Sequence, residues 1–518
     1  MAPEPRMSPR ARVRRLALAA VLSLVAVPGT LTPAAAAEEV SRQVTVRSFD
    51  GTGIVTYFFR APGLAAGERR PVVMLGHGWA GRAETDPAGG TLASLLGAGY
   101  NVVTWNARGF GSGGEANVDD PRVEGRDAQA IIDWIARQPE VRLDRAGDPR
   151  LGMAGGSYGG GIQLVTAGLD RRVDAIAPTI AFNSLLNSLY PDQIFRSGWG
   201  LLLCSGGLQS GNRLSWQVTK GCVTGMASGT VPKDVADWFG AHGPDYLVKR
   251  ITAPTLLLQG TVDTLFPLRE AIANYRTLAA NGVPVKMVWF CGGHGVCSTK
   301  PGPADHVTNA TLAWFDKYLR NKPVDTGAAF EYIDQNGVYR TAPSYPPKRQ
   351  GTLRATGSGS MAFSRADALQ YLDDGGQDGG PGGLPLPAVA AQPAAKAVNV
   401  HLPAPAGSGQ AVGTPQVALR YRGLAAKSRT FLFAQLVDRE TGVVIGNQAT
   451  PIPVVLDGRP RTVTRTIEAV SWAVDRGSDI DLQIVPITGL FDYQRAAGAV
   501  TLTADVTVPL ATGQAAPR

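Results

Sequence analysis

Two periodicities divide the chain. Over its first two thirds, short apolar runs without polar alternation recur: PVVMLGHG (71–78), NVVTW (101–105), RLGMAG (150–155), PTLLLQG (254–260) and VKMVWF (285–290), with VDAIAPTI (173–180) a weaker sixth. Runs of this length and continuity suit strands covered on both faces. Between them lie helical stretches such as VEGRDAQAIIDWIARQ (123–138), in which Ala130, Ile131, Trp134 and Ile135 repeat at intervals of three and four. Buried strands alternating with amphipathic helices predict an α/β architecture, a mostly parallel sheet with helices on both faces. Ahead of it, QVTVRSF and GIVTYFF meet at DGTG, the pattern of a β-hairpin.

One connection breaks the rhythm. More than seventy residues separate Ile180 from Ala253, and a segment that long between core strands predicts a cap inserted over the site, at about 182–250. After the helical run ATLAWFDKYLRNK (310–322) the period changes to two. A proline-rich joint, TAPSYPPKR, and a Gly-, Pro- and Ala-rich stretch (373–395) lead to VALRYRG, TFLFAQLVD, PIPVVLD, RTVTRTIEAVSW, DIDLQIVP and AVTLTADVTVP. Short alternating strands at this spacing predict an antiparallel sandwich. The expected division is therefore a catalytic α/β domain at 38–342 and an all-β domain at 343–518.

Charge and cysteine content set the compartment. The chain opens with five arginines, the apolar run LALAAVLSLVAV and then TLTPAAAAEEV. That order is a secretory signal, residues 1–37, cleaved after Ala37. The pair Arg14 and Arg15 leaves Sec and twin-arginine export both open. Without this leader the formal charge falls from +8 to +4, with 45 basic against 41 acidic residues. Such a mixed surface gives no basis for nucleic-acid binding, and no later stretch reaches the ~20 apolar residues of a membrane span. The expected protein is secreted. Its four cysteines, Cys204, Cys222, Cys291 and Cys297, all lie beyond the leader. An even count in an exported chain favours disulfides; of three possible pairings, the sequence-local one, Cys204 with Cys222 and Cys291 with Cys297, is expected.

The candidate chemistry begins with AGGSYGGG, where Gly155, Gly156, Ser157, Tyr158 and Gly159 form G-x-S-x-G between a strand and a helix. Glycines there let the chain turn sharply and hold the serine Oγ exposed. Serine needs a base, and the base needs an orienting acid. In this architecture acid and histidine follow on later strands. LLLQGTVDTLFP places Asp263 just past one strand, and VKMVWF runs into CGGHGVC with His294 past the next. The oxyanion of an attacked carbonyl would be met by the backbone N–H of Tyr158 and of Trp79, in the turn after the first buried strand. His77, beside it in GHGWAG, is expected to brace that turn. His306 is the competing base, but it begins a helix instead of following a strand. Zinc held by Cys291, His294 and Cys297 is disfavoured: three ligands crowd into seven residues with no fourth and no H-E-x-x-H elsewhere. The reading calls for neither metal nor cofactor.

The combination of HGWAG, NARGFGSGGE (106–115), RDAQAIIDWIARQPE leading to LGMAGGSYGG, then LLLQGTVDTLFP and GGHG, resembles the X-Pro dipeptidyl-peptidase and cocaine esterase group of α/β-hydrolases. The resemblance implies an α/β-hydrolase fold with an inserted cap, and a C-terminal domain of jelly-roll type that helps wall the site. It puts Ser157, Asp263 and His294 on the nucleophile, acid and base. Cocaine esterase-like members draw part of the oxyanion hole from a tyrosine side chain, whereas the HGWAG form implies the backbone of Trp79. The activity implied is hydrolysis of a small-molecule ester or amide, or of a peptide, through an acyl-enzyme. Release of N-terminal X-Pro dipeptides is the alternative, and a non-catalytic binding protein the remaining one.

Overall fold

The structure, a computed structural model, describes residues 41–209, 211–364, 391–491, 496–512 and 514–515. The leader and most of the Gly- and Pro-rich stretch lie outside them. Ten strands and a short C-terminal one build the first sheet: β1 (Ser41–Arg47), β2 (Gly53–Phe59), β3 (Val72–Gly76), β4 (Asn101–Trp105), β5 (Leu151–Gly156), β6 (Val173–Thr179), β7 (Thr255–Gly260), β8 (Val285–Phe290), β9 (Phe330–Ile333) and β10 (Tyr339–Ala342). Their order is β1-β2-β4-β3-β5-β6-β7-β8-β9-β10, with Gln514–Ala515 on the outer edge. All six apolar runs are strands of this sheet, and β4 through β9 run parallel. β1 and β2 form the expected antiparallel hairpin.

The sheet is covered on both faces, so β3, β4 and β7 are buried along their whole length. Helix Glu124–Ile135 buries Ala128, Ile131, Ile132 and Ile135. The stripe is turned slightly from the one read in the sequence: Ala130 and Trp134 pack at its margin. Helix His306–Arg320 starts four residues earlier than its apolar run and stops at Asn321, whose φ of 55° ends the helix in the left-handed region. Between β6 and β7 the long connection forms helices Leu185–Leu189, Ser197–Gly207, Trp216–Ser228, Lys233–Gly240 and Asp245–Val248. The disulfide Cys204–Cys222 joins the second of these to the third.

The C-terminal part is antiparallel and all-β, a jelly-roll-like sandwich with its own apolar core. Its detail differs from the sequence reading. VALRYRG and TFLFAQLVD are one strand, Gln416–Asp438, whose register against Thr450–Asp457 jumps between Leu424 and Arg429. RTVTRTIEAVSW breaks into Arg461–Thr466 and Val470–Val474. Arg349–Phe363, with its glycines and serines, carries no apolar signal, yet it pairs along its length with Gly498–Ala511. Partner strands, not side-chain propensity, define it.

At the carboxyl end of β4, Arg108 ties three elements together. Its guanidinium donates to Asp127 Oδ2 at 2.9 Å and Oδ1 at 2.6 Å, on helix Glu124–Ile135, and to Asp50 and Thr52 in the β1–β2 turn. Arg108 and Asp127 are both buried. Removing one partner of a buried pair strands the other charge. Arg108→Met is therefore expected to cost about 3–5 kcal/mol, read as a lower urea-unfolding midpoint. Arg108→Met with Asp127→Leu should recover most of that loss.

Candidate active site

β5 leads straight into Ser157, and helix Tyr158–Leu169 leaves it. Ser157 sits at φ 59°, ψ −119°, where a residue with a side chain is strained. Its neighbours let the turn close. A Cβ on Gly155 would lie 2.4 Å from Gly76 O, and one on Gly159 would lie 2.3 Å from the same oxygen. Only bare backbone passes there, which explains the glycines of the motif. Ser157 N donates to Thr179 O at 2.9 Å, fixing the turn against β6.

The three residues placed by sequence order meet at the carboxyl edge of the sheet. The Ser157 hydroxyl lies 2.7 Å from His294 Nε2, and His294 Nδ1 lies 2.8 Å from Asp263 Oδ2. Asp263 is fully buried, and its Oδ1 accepts the Leu265 and Phe266 N–H groups at 3.0 and 2.8 Å. A carboxylate held in this way keeps one oxygen aimed at the imidazole. The paired glycines before His294 have a like cause: a Cβ on Gly293, at φ 129°, would come within 2.5 Å of Asp263 Cβ. Cys291 and Cys297 are joined, closing a ring around the histidine, so neither sulfur is a thiolate ligand. His306 lies away from this chain of contacts, 3.0 Å from Glu331 and stacked on Tyr339.

The turn after β3 brings Trp79 and Tyr158 together, their rings 5.5 Å apart. Neither backbone N–H donates to another group among the described residues. His77 shapes this turn. Its Nε2 accepts the Ala107 N–H at 2.9 Å and its Nδ1 donates to Gly78 O at 2.7 Å, which requires the neutral ring. Burial is the main cause that pushes its pKa down to about 4.

Several contributors to the site, from the cap and the sandwich, carry no sequence signal. From the cap, Arg196 donates to Thr264 O and Trp199 Nε1 to Thr264 Oγ1 at 2.9 Å, next to Asp263. Trp199 and Phe266 set their rings edge-on to His294. From the sandwich, Gln448 is buried and its Nε2 donates to the Asp263 carbonyl. Arg269 and Glu468 form an ion pair across the same junction. No local pattern marks a glutamine in IGNQAT as a partner of a residue 185 positions away.

The fold and this edge of the sheet define an α/β-hydrolase of the serine type. Residues 50–296 match the family model for X-Pro dipeptidyl-peptidase (S15 family), and this segment is similar to that family. No curated protein sequence matches the chain. Three solved structures share the whole architecture: an aminopeptidase from a marine sediment Thaumarchaeota archaeon (TM-score 0.71, 14% identity, 95% of this chain and 99% of that one); an α-amino acid ester hydrolase (0.67, 14%, 91% and 96%); and a CocE/NonD family hydrolase from Staphylococcus aureus (0.64, 13%, 91% and 93%). At such identities the likeness is one of fold.

Two outcomes follow. Gln448→Ala should lower kcat roughly tenfold with little change in KM or melting temperature, because a slight shift of the loop at Asp263 misaligns His294; unchanged kcat would make the contact a packing detail. For His77, the unfolded chain takes up a proton below pH 6.5, whereas the folded ring resists protonation until about pH 4. Stability is therefore lost as pH falls between these values, on the order of 3 kcal/mol. His77→Gln should flatten this acid limb in urea titrations at pH 7 and 4.5.

Proposed function

We propose that the protein is an exported serine hydrolase that cleaves an ester or amide bond with Ser157 as nucleophile, His294 as general base and then acid, and Asp263 as the orienting carboxylate. The unbroken run of contacts from Ser157 Oγ through His294 to Asp263, at 2.7 and 2.8 Å, carries this reading. As Ser157 Oγ attacks the carbonyl carbon, its proton passes to His294 Nε2, and Asp263 stabilises the imidazolium through Nδ1–H. The carbonyl oxygen, now anionic, accepts the N–H groups of Trp79 and Tyr158. His294 returns the proton to the departing alkoxide or amine, leaving Ser157 acylated. A water molecule then attacks the ester, again giving its proton to His294, and the tetrahedral intermediate collapses to acid and free serine.

The leader at residues 1–37 and the two disulfides support export, because such bonds persist in oxidising compartments. The proposed division is a catalytic domain at 38–342, its cap at about 182–250, and a sandwich at 343–518. Gln514–Ala515 modifies it, since the last strand returns to pair with β10. The family model's description keeps an X-Pro peptide in view as a substrate, and the same machinery would serve an amide leaving group. An inactive binding protein would have no need of a strained serine aligned with a base.

Ser157→Ala should lower p-nitrophenyl ester turnover by about 10⁴-fold or more and abolish labelling by a fluorophosphonate probe, with an unchanged melting curve. Retained turnover would overturn the assignment.

A further inference from the structure

Ser157, Trp79 and Tyr158 form the floor of a cleft of about 920 Å³, its open mouth included, roofed by the cap. Phe182, Leu185, Leu189, Phe195, Leu203 and Val218 line its walls, and Leu265 and Phe266, two and three residues past Asp263, close the side next to the triad. Among the described lining residues there is no aspartate, glutamate or lysine; the single charged one is Arg196. Arg196 is 1% exposed. One of its donors is spent on Thr264 O, its guanidinium lies over the Phe491 ring at 4.6 Å, and its Nε has no hydrogen-bond partner. Glu468, Glu270 and Asp263 act on it electrostatically, but none of the three lines the cleft, and a second cation, Arg269, acts alongside it. Glu468 pairs with Arg269, and Glu270 accepts the N–H groups of Asn183 and Ser184.

A substrate with a free amino terminus, of the aminopeptidase, dipeptidyl-peptidase or α-amino acid ester type, carries an ammonium one or a few bonds from the scissile carbonyl. Here that group would enter an apolar cleft with no carboxylate to meet it and with a guanidinium in its wall. Desolvating a cation without a counter-charge is strongly unfavourable, and a like charge at low dielectric adds to the cost. Apolar side chains and aromatic rings instead favour an uncharged hydrocarbon group. We propose that this cleft accepts a neutral, apolar portion of an ester or amide substrate and excludes a free ammonium, so that the enzyme does not recognise an amino terminus. The inference rests on the catalytic reading above and narrows its substrate class.

Two isosteric pairs test it, one for each half of the substrate. Methyl 3-phenylpropanoate against phenylalanine methyl ester varies the acyl half, and 3,3-dimethylbutyl acetate against choline acetate varies the leaving group. The neutral member should exceed the cationic one in kcat/KM by about 100-fold in the pair whose varied half enters the cleft. For the amino ester, discrimination should shrink as pH rises and the amine loses its proton. Leu189→Asp, which sets a carboxylate in the wall away from the triad, should reduce the ratio roughly tenfold in a variant shown by its melting curve to be folded. Cationic members of both pairs turned over within threefold of the neutral ones, or a folded Leu189→Asp with an unchanged ratio, would overturn the proposal while leaving Ser157 labelling intact. Loss of fluorophosphonate labelling in the unaltered protein would instead bring down the catalytic reading, and this one with it.

Discussion

At Ser157 the chain must reverse from a buried strand into a buried helix within one residue, and it does so by holding a side chain at φ 59°. That conformation costs of order 1–3 kcal/mol and persists only where the surroundings overdetermine it. Gly155 and Gly159 close on Gly76 O, Ser157 N bonds to β6, and the helix behind is buried along nearly its whole length. The same closeness sets the turn after β3, with Trp79, against the turn that carries Ser157. The placement of the Trp79 turn and of Ser157 thus follows from one close backbone approach between β3 and the helix after β5.

A second layer of contacts holds Asp263 and His294. Loop 291–295 lies against the acid loop closely enough that Gly293 has no room for a Cβ. Arg196 and Trp199 reach in from the cap, and Gln448 from the sandwich, onto Thr264 and Asp263. Three parts of the chain that are distant in sequence therefore converge on one short loop. Polar groups packed in this way resist displacement because each has few alternative partners.

The sequence makes the α/β core readable because its strands are buried on both faces and need no alternation, and each chemical residue follows such a strand. Strand order alone picks out Ser157, Asp263 and His294, whose side chains the structure brings into contact. Arg349–Phe363 could not be read in this way, since alternating small and polar residues on a surface strand resemble a loop until the partner strand is known. Nor could Gln448 or Arg196, whose roles arise from tertiary placement and leave no local spacing. VALRYRG and TFLFAQLVD read as two separate runs, whereas the structure carries one strand, Gln416–Asp438, through a shift of register between them.

The contact between Gln448 and Asp263 also bears on how the enzyme comes into being. A chain synthesised amino terminus first has the proposed nucleophile, acid and base well before Gln448, 185 positions on from Asp263. The first sheet itself gains its edge strand only from Gln514–Ala515, almost at the end of the chain. A nascent or C-terminally clipped molecule would therefore carry Ser157, Asp263 and His294 without the Gln448 contact that meets Asp263.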